Sequence, residues 1–345
     1  MNLKTKIFIL SAFICLTMSS VAKSKAFYDY CLNPENDSQR DTVISVMIKL
    51  KVWERLNEEN CQMAADLLRQ RFYLNIFPDP FESSRNPASD LHPIEDETQI
   101  RSLSLAKNQI VDLSPIAKFE NLKQLNINYN PISDIGIVAK FKRLEELNAT
   151  ETLITDLKPL TGLVMLTSIS LAKTGVSDLS PLYSLKHVNT LFLSHNRISD
   201  TKPLEHLTLE YLTAEDNQID TLDVTTSRKT LHMLDVANNR LSTILGLDML
   251  EKIDAISLEG NLFTSLDAFG GLKTLRFLNI RNNKITTLNP LAGLLDLQYL
   301  IIDGNDICEI PDQVKDLQLE HLNSKGEWIR LEISGFDQQK GCHKP

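Results

Sequence analysis

Along residues 100–318 apolar side chains recur at fixed offsets, in the pattern Leu-x-x-Leu-x-Leu-x-x-Asn-x-Ile, and the pattern returns every 22 residues. Counted from the first apolar position, copies start at Ile100, Leu122, Leu144, Leu166, Val188, Leu209, Leu231, Ile253, Leu275 and Leu297, with a degenerate copy at Leu319; only the fifth is a residue short. Self-similarity at this period means a solenoid, whose units bury their apolar faces only by stacking. Within a unit, Leu103 and Leu105 point the same way from a short strand while Ser102, Ser104 and Ala106 face outward. Later copies repeat this as Leu125/Ile127, Leu147/Ala149, Ile169/Leu171, Leu191/Leu193, Leu212/Ala214, Leu234/Val236, Ile256/Leu258, Leu278/Ile280 and Leu300/Ile302. The spacing predicts one strand per turn, stacked in parallel.

Two polar columns accompany the apolar ones. Asn108, Asn130, Asn196, Asn217, Asn239, Asn261, Asn283 and Asn305 follow the strands, with Thr152 and Thr174 at two copies. A buried amide carries donors and an acceptor, so these residues are expected to satisfy the backbone where each strand turns away. Further on, Asp112, Asp134, Asp156, Asp178 and Asp200 stand in register, mostly within Asp-Leu-x-Pro-Leu. Aspartates in a row invite a metal reading. Pro three residues later argues instead for caps on short helical turns, a role that passes to Thr221, Thr243, Ser265 and Thr287 in later copies.

The unit resembles the 22-residue leucine-rich repeat of bacterial internalins and the related SDS22-like repeats. The resemblance implies an α/β fold: a right-handed solenoid with a parallel β-sheet on the concave face and short helical turns on the convex face. It also implies recognition of a protein or peptide rather than catalysis. Surface-held internalins carry further C-terminal segments, whereas here only 26 residues follow Leu319.

The ends of a stack expose core and unpaired backbone and need caps. Domain limits are read as residues 1–26, a signal peptide; 27–95, a helical cap and connector; 96–322, the repeats; and 323–345, a C-terminal cap. In the first cap, the stretch from Asp41 to Leu56 is apolar enough to pack, and Cys61, Ala64, Ala65 and Leu68 fall at helical spacing. The prolines at 78, 80, 87 and 93 make residues 77–96 read as an irregular connector.

Lys4 and Lys6, the apolar run from Ile7 to Met18 and the small residues after it form a secretory signal pattern with cleavage after Ala22 or Ala26. Large Phe13 and Ile14 disfavour lipid attachment at Cys15. Four cysteines then remain, an even count that in an oxidising compartment reads as two disulfides, Cys31–Cys61 and Cys308–Cys342. No Cys or His spacing suggests zinc, and no cofactor is called for. The formal charge is -9, and loss of the four lysines in residues 1–26 takes it to -13, which argues against nucleic acid and makes anionic membrane surfaces poor partners. No segment after the signal is apolar for long enough to span a membrane. The mature chain is thus expected outside the cytoplasm, secreted, periplasmic or surface-held, and monomeric.

Function can show only at outward strand positions. The first outward column runs Ser102, Gln124, Glu146, Ser168, Thr190 and then Tyr211, Met233, Ala255, Phe277, Tyr299, turning large and apolar midway. Phe192 and Ile301 join from the next column, with Glu215, Asp235, Glu259 and Asp303 among them and Arg281 as the lone base. Strands about 4.8 Å apart make this patch roughly 25 Å long. Exposed aromatics beside charges are the composition of binding hot spots, and the acids favour a basic partner. Self-association in the envelope is the alternative. An enzyme would have to hide its site in residues 27–95, because the chain has no phosphate-cradling Gly loop, no His-Glu-x-x-His and no spare cysteine nucleophile. The sequons at Asn36 and Asn148 are read as chance.

Overall fold

The computed structural model describes residues 25–52, 56–76 and 87–335. Among the described residues three helices come first: α1 (Lys25–Leu32), α2 (Asp37–Leu50) and α3 (Glu58–Arg69). Eleven strands follow, β1 (Tyr73–Asn75), β2 (Ser102–Ser104), β3 (Gln124–Asn126), β4 (Glu146–Asn148), β5 (Ser168–Ser170), β6 (Thr190–Phe192), β7 (Tyr211–Thr213), β8 (Met233–Asp235), β9 (Ala255–Ser257), β10 (Phe277–Asn279) and β11 (Tyr299–Ile301). The last segment holds α4 (Asp312–Asp316), β12 (His321–Leu322), β13 (Trp328–Ile329) and β14 (Glu332–Ser334). Strands β1 to β11 and then β14 form one open parallel sheet in chain order. Among the described residues no helix is long and apolar enough to cross a membrane.

Every inward pair expected of the repeats is buried, none more than 2% exposed. The asparagines lace these coils together. Asn130 donates to Leu105 O at 2.8 Å in the coil before it and to Ile127 O at 3.0 Å in its own, and its Oδ1 accepts from Ile110 N at 3.0 Å. Thr152 and Thr174 keep only the local bond among these, to Ala149 O at 2.8 Å and Leu171 O at 2.9 Å. The aspartate column takes the first N–H of each short convex turn, as when Asp178 accepts from Ser180 N at 2.8 Å and Asp200 from Lys202 N at 3.0 Å. Ser265 and Thr287 do the same in later copies. In the coil of β7, however, the acceptor is Asp223, two residues past Thr221, because that turn starts later, at Thr225.

The cap differs from its expected outline. Helix α2 starts four residues before Asp41, where the Asn36 side chain accepts from Gln39 N, and stops at Leu50 because Lys51 turns left-handed (φ 60°). Asn36, one of the two sequons, thus has a capping role. Cys31 and Cys61 form a disulfide with both residues fully buried between α1 and α3. Cys342, half of the second expected bridge, lies outside the described residues.

The end of the expected cap and the segment read as a connector together hold a further coil. Leu74 and Ile76 point inward from β1 like Leu103 and Leu105 from β2, and Asp90 accepts from His92 N at 2.9 Å to start a turn over His92–Ile94. Leu74 precedes its partner Leu103 by 29 residues, seven more than the period, which breaks the register; residues 77–86 lie outside the described residues. At the other end, the degenerate copy at Leu319 is not a coil. Leu319 is 67% exposed, and the sheet gains its last strand from β14, whose Ile333 pairs with Leu300. Strands β12 and β13 instead form a small hairpin, pinned where buried Asp296 accepts from Ser324 N at 2.7 Å and Ser324 Oγ at 2.6 Å.

Candidate functional site: the concave face

The sheet register decides which outward residues meet. Tyr211, Met233, Ala255, Phe277 and Tyr299 are partners on successive strands, and Phe192, Thr213, Asp235, Ser257, Asn279 and Ile301 form the next row. Ala255 divides the large residues into two groups, Tyr211 with Met233 and Phe277 with Tyr299. Tyr211, Met233 and Tyr299 are exposed, while Phe192, Phe277 and Ile301 are half-buried. Phe192 and Ile301 lie five strands apart, about 24 Å at the usual spacing, so they end the patch rather than join one cluster. Tyr211 also stacks on His232, with ring centroids 6.1 Å apart. Strand β14 extends the face beyond Tyr299 and Ile301 with Glu332 and Ser334. Gly335 (φ 79°) then lies against the Asp303 carboxylate.

The acids divide by the company they keep. Glu259 accepts from Asn279 Nδ2 at 3.1 Å and lies 3.9 Å from Arg281 Nε, so the lone base is already engaged. Asp235 accepts from Ala237 N at 3.2 Å. Burial raises its pKa; the bonds from Ala237 and Ser257 oppose this, and the charges of Asp216 and Glu259 add to it. Burial likewise raises the pKa of Glu215, helped by Asp235, Asp216 and Glu259 and opposed by His195. The strip from β7 to β9 therefore holds more negative charge than its own neighbours balance.

One column here was not singled out in the sequence. The residue before each ladder position is left-handed: Lys107, Tyr129, Glu151, Lys173, His195, Asp216, Asn238 and Asn282 have φ between 51° and 61°, with Gly260 and Gly304 completing the set. From Lys107 to Asn282 each N–H is thereby turned to the following coil, for example Lys173 N to Ser194 O at 2.9 Å and His195 N to Glu215 O at 2.7 Å. The side chains pair along the column. Lys107 sits over the Tyr129 ring at 5.7 Å, Lys173 bonds Glu151 at 2.7 Å, and His195 Nδ1 lies 2.6 Å from Asp216 Oδ2. The signal that could have found it is the 21- or 22-residue spacing of a polar residue just before each Asn or Thr of the ladder. A second missed zone opens the face, where Arg101 lies 4.9 Å over exposed Phe72 and Arg71 5.5 Å over exposed Tyr73, residues hidden with the unread coil.

Comparison with known proteins agrees with this architecture. A family model described as "Leucine Rich repeats (2 copies)" matches residues 98–140 and 120–162, and one described as "Leucine rich repeat" matches 262–307. No curated protein matches the chain. Among solved structures, an internalin (InlF) of Listeria monocytogenes is 24% identical, covers 83% of this chain and 86% of its own, and superposes with a TM-score of 0.64. A second, internalin C2 of the same organism, is 23% identical over 60% of this chain and 83% of its own, TM-score 0.47. A plant peptide hormone receptor, RGFR1, solved in complex with RGF2, is 18% identical over 67% of this chain and 40% of its own, TM-score 0.59. The fold is the leucine-rich-repeat solenoid seen in internalins.

Proposed function

We propose that this chain is an exported recognition module whose concave face, from β6 to β11, binds a protein or peptide carrying exposed Lys or Arg. The observation that carries the reading is the change in the first outward column at β7. From there exposed Tyr211, Met233 and Tyr299 stand among carboxylates on a rigid sheet. Such apolar bodies with charged surroundings supply hot-spot energy, and the acids steer basic partners. A hormone receptor of the same fold, solved with RGF2, supports a peptide-sized partner. The buried Cys31–Cys61 bond supports export.

The test is selection from a random peptide-display library on the immobilised chain. Selected peptides are expected to be rich in Lys and Arg. They are expected to lose about 100-fold in affinity for a Phe192→Ala, Tyr211→Ala, Phe277→Ala, Tyr299→Ala variant, given roughly 1–2 kcal/mol per hot-spot residue with incomplete additivity. Equal affinity for wild type and variant would remove the concave site.

A further inference from the structure

We propose that His195, Glu215 and Asp216 form a binding site for one divalent transition-metal ion of the zinc class, at the loop edge of the concave sheet after β6 and β7. One donor atom from each residue lies within 4.8 Å of the other two, and among the described residues no other trio of His, Cys, Asp or Glu side chains comes this close. Tetrahedral zinc with bonds of about 2.0–2.1 Å sets its ligands roughly 3.3–3.4 Å apart, so modest side-chain rotation closes the set. Three protein donors leave a fourth position for water or for a group from a partner.

The two segments that supply the donors are locked to each other before any ion arrives. His195 N donates to Glu215 O at 2.7 Å, and Asp216 N donates to Ala237 O at 3.0 Å in the next coil. The donors therefore stand on the regular coil scaffold, as a precise site requires.

Charge balance separates this trio from the rest of its column. Lys173 meets Glu151 one to one at 2.7 Å, and Lys107 lies over the uncharged Tyr129 ring. Beside the next position, Glu215 and Asp216 both face the one imidazole of His195, and Asp235 and Glu259 add negative charge next to Glu215. Arg281 approaches Glu259, leaving Glu215 facing other acids. The imidazole sets the class of ion, because nitrogen is a good ligand for zinc, copper or nickel and a poor one for calcium or magnesium. The 2.6 Å contact of His195 Nδ1 with Asp216 holds the ring against its neighbour until an ion separates them.

The inference does not depend on the proposed partner and is tested on the chain alone. Zinc, calcium and magnesium are titrated separately into the metal-free mature protein by calorimetry, and thermal unfolding is followed with and without zinc. One equivalent of zinc is expected to bind at least about 100-fold more tightly than calcium and to raise the unfolding temperature. His195→Asn and Glu215→Gln are each expected to weaken zinc by at least about tenfold and to abolish the thermal shift; Glu151→Gln, in the same column, is expected to change neither. Asn is chosen at 195 because it tolerates the left-handed backbone (φ 59°), and circular dichroism of each variant checks folding. The proposal is overturned by absence of stoichiometric zinc binding to wild type, by zinc affinity unchanged in both site variants, or by calcium binding as tightly as zinc.

Discussion

Asn239 shows what a single side chain does between two coils. Its amide donates to Ala214 O at 2.9 Å in the preceding coil and to Val236 O at 3.0 Å in its own, while Oδ1 accepts from Ile219 N at 2.9 Å. Replacing it by alanine leaves the buried Ile219 N–H without a partner, at about 1–3 kcal/mol, while Ala214 O and Val236 O each keep a second bond, from Asn217 and Asn261, so Asn239→Ala is expected to lose about 2–3 kcal/mol in urea unfolding. Asn239→Thr is expected to lose less, because the threonines at 152 and 174 retain the local bond to a carbonyl three residues earlier. Equal losses in the two variants would show that the local bond contributes nothing. This role was legible in the sequence because an amide at a fixed place after an apolar pair has only backbone to satisfy. The pairing of His195 with Asp216 was not legible from local spacing. The partners are 21 residues apart and meet only through the left-handed column, which the Leu and Asn pattern does not mark.

At the scale of elements, what the sequence showed and what it hid follow from register. Coils of constant length announce themselves by period, so the strands from β2 to β11 could be placed before any coordinates. Leu74 and Ile76 belong to the same columns but are followed by inserted residues, and Leu319 keeps an apolar identity at the right interval without joining the core. Packing between neighbouring convex turns gives a test at this scale. His206, after the turn Lys202–Leu204, lies with its ring centroid 4.8 Å from that of Tyr183 in the turn Ser180–Ser184, and neither ring nitrogen has a hydrogen-bond partner. Burial lowers its pKa, Lys186 lowers it further, and the nearby Pro203 carbonyl pulls weakly the other way. A histidine depressed in the folded state binds its proton more readily when unfolded. Its contribution is therefore complete above the unfolded value of about 6.5 and is lost as pH falls through the lower folded value. His206→Phe keeps a ring against Tyr183 and removes the titration. The stability of wild type minus variant is expected to fall between about pH 7 and pH 5, and a flat difference in parallel denaturant melts would refute this origin. Subtraction is needed because His92 shifts the other way: the bond to Asp90 is the main reason its pKa is raised.

For the whole molecule, an open sheet of stacked coils must end twice, and the two ends are closed by different means. At the first, β1 belongs to the cap itself, and Asn108 reaches back to Ile76 O at 2.7 Å while its Oδ1 accepts from Ala88 N at 2.9 Å. The ladder therefore starts inside the cap, and helices and coils share one core. At the second, β14 occupies the edge of β11, with Glu332 N donating to Gln298 O at 2.7 Å and Ile302 N donating to Ser334 O at 3.2 Å. Leu331, fully packed, anchors that strand, and its N–H donates to Leu317 O at 2.7 Å. A chain ending at Gln318 keeps every leucine coil yet bares the backbone of β11 beside Leu300 and Ile302. An uncovered parallel edge over an apolar core is a template for another chain. The shortened chain is thus expected to self-associate with rising concentration in light scattering, whereas the chain that retains β14 is expected to keep a constant mass. A shortened chain that remains monomeric and folded would mean that the edge is protected by something other than β14. In that case the twelfth strand of the sheet would be dispensable for solubility, and its main effect would be to extend the concave face past Tyr299.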